Sequence, residues 1–523
     1  MSSLIRERLT RLATSQQEYT ICAGLRGLEK ESLRVTPNGK ISQKPHPKGL
    51  GSALTNPYIT TDYSEALLEF ITPPLVSNAD ALSFMHDLHS FTYKHLGDEL
   101  LWSGSMPCIV DGDMSVPIAN YGDSNIGLMK HIYRVGLWHR YGRSMQAIAG
   151  IHFNYSLPDK FWPIYQQQEN DTQPLEDFIS QSYFDMTRNL HRNGWLLLFL
   201  FGSSPAICKS FVAGKEHAFN VFDEGTLFEK YATSLRMSDI GYKNDSQSNI
   251  AISYNSLDAY VSGLTQATQK SHPEYATIGT KGADGQYAQL NTNILQIENE
   301  YYSNVRPKQI AASGERPSTA LRERGVRYVE LRSVDLSIVD PSGLNESQLN
   351  FLEAFMIYCL LSESPPLSTA DKILLDDNIS LVATNGRRPN LLLNQDGKSS
   401  SLNSWGLAIC NEMVPICNIL DTELEEKPYS SALEVQVQKL NNPNLTPSSI
   451  QLKVLKEEQL PFFKYVMQQS NLHKTYFENR PLSNAKLSLF DNACLQSIQQ
   501  QNAIELSDTL GFDQFLTKYF SQN

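Results

Sequence analysis

Glu29 and Glu31 stand one residue apart in the stretch Gly27-Leu28-Glu29-Lys30-Glu31-Ser32-Leu33-Arg34-Val35. If this stretch is a strand, both carboxylates leave the same face, because side chains alternate with period 2. Two like charges on one face of a mostly buried strand repel each other, and each costs desolvation energy. A fold keeps such a pair inside only with something cationic between them, and a metal ion is the natural candidate.

Three further stretches read as strands and carry polar groups on one face. Residues 66–72 hold a single acid, Glu69, in an apolar run that follows Thr60-Thr61-Asp62-Tyr63. Residues 151–156 put Ile151, Phe153 and Tyr155 on one face and His152 and Asn154 on the other. Residues 326–333 put Tyr328, Glu330 and Arg332 together, opposite Val329 and Leu331. Glu29, Glu31, Asp62, Glu69, Glu330 and His152 make a hard, oxygen-rich set with one imidazole, suited to Mg²⁺ or Mn²⁺ rather than Zn²⁺. So many carboxylates would over-neutralise one divalent ion, which points to more than one ion or to ions shared with a substrate phosphate. Spacing alone leaves blander readings open: a solvated edge face for Glu29 and Glu31, a turn or cap for Asp62, a core histidine at 152, and a structural Glu330–Arg332 pair.

The rest of the chain narrows the class. Its 523 residues carry a net charge of −12, which argues against a sequence-independent grip on nucleic acid or anionic membrane. No secretory signal is visible at the N-terminus, and the longest large-apolar run, Trp195 to Phe201, is far short of a membrane span and reads as buried core. Seven scattered cysteines without a Cys-x-x-Cys pair predict reduced thiols, neither a disulfide framework nor a zinc site. The expected location is cytoplasmic. Helices are predicted over 5–17, 78–96 and 347–363, mixed irregularly with strands in the manner of an α+β fold. His86 and His89 on the second helix are assigned to its surface. Residues 1–376 are expected to form a catalytic core and 377–523 a mainly helical part packed on it. Asn394-Gln395-Asp396-Gly397-Lys398-Ser399 lacks the first glycine of a P-loop and reads as a turn.

Several long segments resemble one family. Residues 27–35, 51–55 and 59–73, then Ser105-Met106-Pro107-Cys108, 150–158, 201–208, 231–242, 295–300 and 328–333 are similar in order and spacing to proteobacterial glutamate–cysteine ligases. The resemblance spans roughly residues 20–365 and weakens towards the C-terminus. It implies a glutamine-synthetase-like carboxylate–amine ligase fold, in which a curved antiparallel sheet forms a funnel surrounded by helices. It also implies ATP-dependent joining of L-glutamate to L-cysteine, the first step of glutathione synthesis, with Mg²⁺ as the ion and Mn²⁺ as a substitute.

By the same resemblance Glu29, Glu31, Asp62, Glu69, His152 and Glu330 hold metal, and Arg332 and Arg236 neutralise the transferring phosphoryl group. Tyr133, Gln146, Tyr242 and Tyr302, with Arg134 beside them, surround the incoming cysteine. Tyr63 stands where the resemblance implies Phe, so its hydroxyl bears on thiol selectivity, and a related ligase using a different amine is the alternative. A monomer is implied, and the chain carries no C-terminal ATP-grasp-sized module of the fused enzyme.

Overall fold

The computed structural model describes residues 4–14, 17–241, 250 and 252–522. Twelve strands are found among them: β1 (Leu25–Val35), β2 (Ile59–Thr61), β3 (Leu67–Ile71), β4 (Leu100–Leu101), β5 (Ile151–Ser156), β6 (Ala206–Cys208), β7 (Asn220–Val221), β8 (Thr226–Phe228), β9 (Val305–Lys308), β10 (Tyr328–Val334), β11 (Leu392–Gln395) and β12 (Lys398–Ser401). The main sheet runs β2-β3-β1-β5-β10-β9, with β4 also paired to β1. Its pairings are antiparallel.

Register decides which side chains meet. Glu31 lies opposite Glu69, and Glu29 opposite His152. Glu330 lies opposite Asn154 on one side and Arg306 on the other. The four predicted strands therefore exist and pool their polar groups on one face.

The other face packs on helices. α1 (Leu4–Thr14) is followed by α2 (Asn78–Leu96) and α3 (Asn125–Tyr141). α2 starts where the Ser77 side chain accepts from the Asp80 N–H, and it stops at Gly97, whose φ of +64° is open to glycine at little cost. Phe84, Leu88 and Phe91 are buried at the predicted helical spacing. Trp195–Phe201 is a wholly buried helix, and the helix Glu346–Leu361 opens on an Asn345/Gln348 capping box.

Two sequence expectations are corrected here. His89 is not a surface residue: it is 1% exposed, stacked on Phe477, with its Nε2 2.8 Å from the Lys30 Nζ. α2 turns this histidine inward to the back of β1, where burial lowers the Lys30 amine to about 7. The cysteines are not all thiols either: Cys108 and Cys208 form a disulfide across a sequence separation of 100. Cys108 follows β4 and Cys208 ends β6, so only the fold brings them within bonding distance. Cys22, Cys359, Cys410, Cys417 and Cys494 are free.

From Thr369 onward the described chain is helical apart from the β11–β12 hairpin, whose turn is the Asp396-Gly397 segment. The late helices return to the sheet. In the helix Asn484–Ser507, Ser497 Oγ accepts from the Ser52 N–H at 2.9 Å and its carbonyl accepts from the Thr55 hydroxyl at 2.6 Å. The segment that leads into β2 is thus pinned from the C-terminal side.

Candidate active site

His152 stands at the centre of the polar face, 3% exposed. Its Nδ1 is 3.0 Å from Glu29 Oε2 and 3.6 Å from Glu330 Oε1, and its Nε2 is 3.6 Å from Glu31 Oε1. Ligand atoms of Glu29, His152 and Glu330 all lie within 4.8 Å of one another. Asn154 Nδ2 donates to Glu29 Oε1 at 2.9 Å, and the Gly150 N–H donates to Glu31 Oε2 at 2.7 Å. The ring thus lies between the Glu29 and Glu31 carboxylates, one at each nitrogen.

Three further carboxyls, Glu31, Asp62 and Glu69, crowd one another beyond this triplet. Burial raises the Glu69 carboxyl well above its ordinary value, and Glu29, Asp62 and Glu31 add to the shift. Burial and then Asp62 raise Glu31. Burial also acts to raise Glu29 and Glu330, but it is outweighed: the His152 bond holds Glu29 low, and Lys308, Arg332 and His152 hold Glu330 low.

Cations border the acids. Arg332 Nη1 donates to Glu330 Oε1 at 3.0 Å. Arg236 is fully buried; its Nη2 donates to the Arg332 carbonyl at 2.9 Å, and its Nη1 is 3.6 Å from Asp335 Oδ1. A Cβ at Gly150 would collide with the Arg236 guanidinium, so glycine is required there. Lys308 Nζ is 3.4 Å from Glu330 Oε2.

Beside the acids lies an aromatic corner. Arg134, 8% exposed, donates from Nε to the Asp62 carbonyl at 2.6 Å, and its guanidinium lies 4.7 Å from the Tyr121 ring centroid. The Tyr121 hydroxyl donates to the same carbonyl at 2.9 Å. Gln146 Nε2 donates to the Tyr302 hydroxyl at 2.9 Å, and Tyr133 is within electrostatic reach of Tyr302. Tyr63 is 2% exposed, and its hydroxyl has no hydrogen-bond partner among the described residues. Tyr242 lies outside the described residues.

Sequence reasoning missed Lys308, Arg306, Tyr121 and Lys130. Val305-Arg306-Pro307-Lys308 forms an edge strand, where a proline is tolerated. Lys130 projects from α3 over the Tyr121 ring, and burial, with Arg134, lowers its amine to about 8.

The acid-lined antiparallel sheet is the one the resemblance implied for a carboxylate–amine ligase, and the fold falls in that class. The family model for glutamate-cysteine ligase matches residues 9–382. Over 520 residues the chain is 47% identical to a glutamate–cysteine ligase of Alcanivorax borkumensis, with 99% of each chain covered. The chain belongs to the glutamate–cysteine ligase family. Its fold matches a crystal structure of the Francisella tularensis glutamate–cysteine ligase in complex with AMP, with TM-score 0.89 and 35% identity over 95% of this chain and 97% of that one. A bifunctional glutathione synthetase from Pasteurella multocida shares the fold at TM-score 0.69 and 22% identity, over 93% of this chain and 57% of that one.

Proposed function

We infer that this chain joins the γ-carboxyl of L-glutamate to the amine of L-cysteine, with ATP converted to ADP and phosphate. The observation that carries the reading is the Glu29–His152–Glu330 triplet, with Arg332 on it, in a chain of this family. A carboxylate is a poor electrophile, so ATP activates it. One γ-carboxylate oxygen attacks the terminal phosphorus, the bond to the bridging oxygen breaks, and ADP leaves. The neutral cysteine amine then attacks the acyl carbon, phosphate departs, and the nitrogen loses a proton.

The residues fit a divalent ion. His152 Nε2 and Glu330 Oε2 are buried without hydrogen-bond partners among the described residues, which is expensive unless something cationic takes the lone pairs. Glu29, His152 and Glu330 would hold one Mg²⁺ or Mn²⁺, and Glu31, Asp62 and Glu69 a second. Such ions would neutralise charge on the triphosphate and on the attacked oxygen.

The remaining roles follow from placement. Arg332, at the edge of the acid set, faces the transferring phosphoryl group. Arg236 reaches that group through the Arg332 carbonyl, so it acts chiefly by fixing Arg332. Tyr133, Gln146, Tyr302 and Arg134 line the cysteine side, with Tyr63 beneath, and the family resemblance alone adds Tyr242. Residues 1–376 form the catalytic core, and the C-terminal helices buttress the segment before β2. The enzyme acts as a cytoplasmic monomer.

The test is phosphate release with glutamate, ATP and Mg²⁺ against a panel of amines. Cysteine is expected to exceed alanine and polyamines by a wide margin; equal rates would overturn the choice of second substrate.

A further inference from the structure

Lys308 sits on the edge strand β9, and the alternation of that strand places it with Arg306 on the acid-lined face. The two cations differ in freedom. Arg306 is tied down, its Nη2 donating to the Asn299 carbonyl at 3.0 Å and to the Tyr301 carbonyl. Lys308 reaches across to Glu330 Oε2 at 3.4 Å, too long for a charge-assisted hydrogen bond. Its side chain is 27% exposed, whereas that of Glu330 is 1% exposed. The ammonium therefore stands at the wet rim of the site while its carboxylate partner lies inside.

Glu330 is served by two cations on different oxygens. Arg332 takes Oε1 at 3.0 Å, and its backbone is held through its own N–H to the Asn304 carbonyl and through its carbonyl to Arg236. Lys308 attends Oε2, which has no hydrogen bond among the described residues. A divalent ion on Glu29, His152 and Glu330 would repel both cations. Arg332 is fixed in place, and Lys308, on a flexible four-carbon stem, is the one able to leave. A lysine released at the rim of a site that takes a triphosphate finds a new anion there, and its point charge suits phosphate oxygens.

We propose that Lys308 neutralises Glu330 until a divalent ion enters, and then swings to the phosphates of the bound nucleoside triphosphate. This rests on the metal reading given above. It predicts effects of opposite sign from one substitution. In Lys308→Met, Mn²⁺ binding without nucleotide, followed by electron paramagnetic resonance, should tighten several-fold because the competing ammonium is gone. Binding of ATP with Mn²⁺, followed by calorimetry, should weaken about tenfold, the loss of one phosphate contact. The KM for ATP should rise more than kcat falls, and Lys308→Arg should restore most of the nucleotide affinity. Loss of Mn²⁺ and ATP affinity together would mark Lys308 as a mere strut and overturn the proposal, as would no change in either. Wild-type protein that binds no Mn²⁺ would overturn the metal reading and the proposal with it. Normal wild-type binding with unchanged Lys308→Met values would overturn the proposal alone.

Discussion

Glu31 and Glu69 lie directly opposite each other across the antiparallel β1–β3 ladder. Like charges so placed destabilise a sheet, and here burial adds to the cost. On the metal reading proposed above, the arrangement trades stability in the ion-free protein for affinity.

Glu69→Gln should therefore stabilise the ion-free protein, by roughly 1–2 kcal/mol, while lowering ligase turnover about a hundredfold. The pH dependence has a definite sign. Burial and the neighbouring acids raise the folded-state Glu69 carboxyl well above 4.5. The folded protein then holds this proton more tightly than the unfolded chain, so its contribution to stability falls as pH rises from about 4.5 upward. Gln removes that fall. Calorimetric unfolding in chelator across this range, beside a coupled ADP assay, checks both statements; a variant with full Mg²⁺-dependent activity would remove Glu69 from the ion site.

Arg332→Ala should lower kcat about 10²–10³-fold, the range for loss of one preorganised group facing developing charge. Stability should change by only about 1–2 kcal/mol, because Lys308 still attends Glu330. Thermal unfolding and steady-state kinetics on the same preparation separate the two. A large fall in melting temperature with near-normal turnover would make Arg332 a structural partner.

Tyr63→Phe tests the residue that the resemblance set against a Phe. Its hydroxyl is buried without a hydrogen-bond partner among the described residues, so deleting it should raise stability by about 1 kcal/mol. If the hydroxyl is only a buried group beneath the cysteine side, the KM for cysteine should not change. A shift in cysteine-over-alanine preference would put the hydroxyl in the pocket.

His191 governs part of the acid response. Burial, with Lys372 and Arg192 nearby, lowers it from 6.5 to about 3, and its ring packs 4.3 Å from the Tyr254 ring. Its folded pKa lies below the unfolded one, so its stabilising contribution is present above 6.5 and is lost as pH falls towards 3. His191→Gln should flatten the stability profile between those limits by up to about 1.4 kcal/mol per pH unit. Denaturant unfolding at a series of pH values reads this slope, and an unchanged slope would show that His191 is protonated in the folded state.

Much of the site was legible because strands alternate. Glu29 and Glu31, His152 and Asn154, and Glu330 and Arg332 were each assigned a common face by period alone, and each pair shares that face in the structure. Length and flanking signals also placed α2 and the helix Glu346–Leu361 to within a residue or two. Three features escaped. His89 lies at helical spacing that fits a surface as well as a core, and only the packing of α2 on β1 buries it. Cys108 and Cys208 are joined because the loop after β4 meets the end of β6. Lys308 lies on a short edge strand containing Pro307, and only its pairing with the Glu330 strand sets it beside that acid.

The sequence by itself determined the chemistry of this protein: which side chains are acids, which faces they share, and which family motifs they belong to. Those are local properties, set by a two-residue repeat and by residue type. Tertiary structure alone decided the register that sets Glu31 against Glu69 and Glu29 against His152. It also brought Lys308 across from another strand to Glu330. Register depends on how whole strands bury their apolar faces against helices, and no short stretch of sequence contains that information.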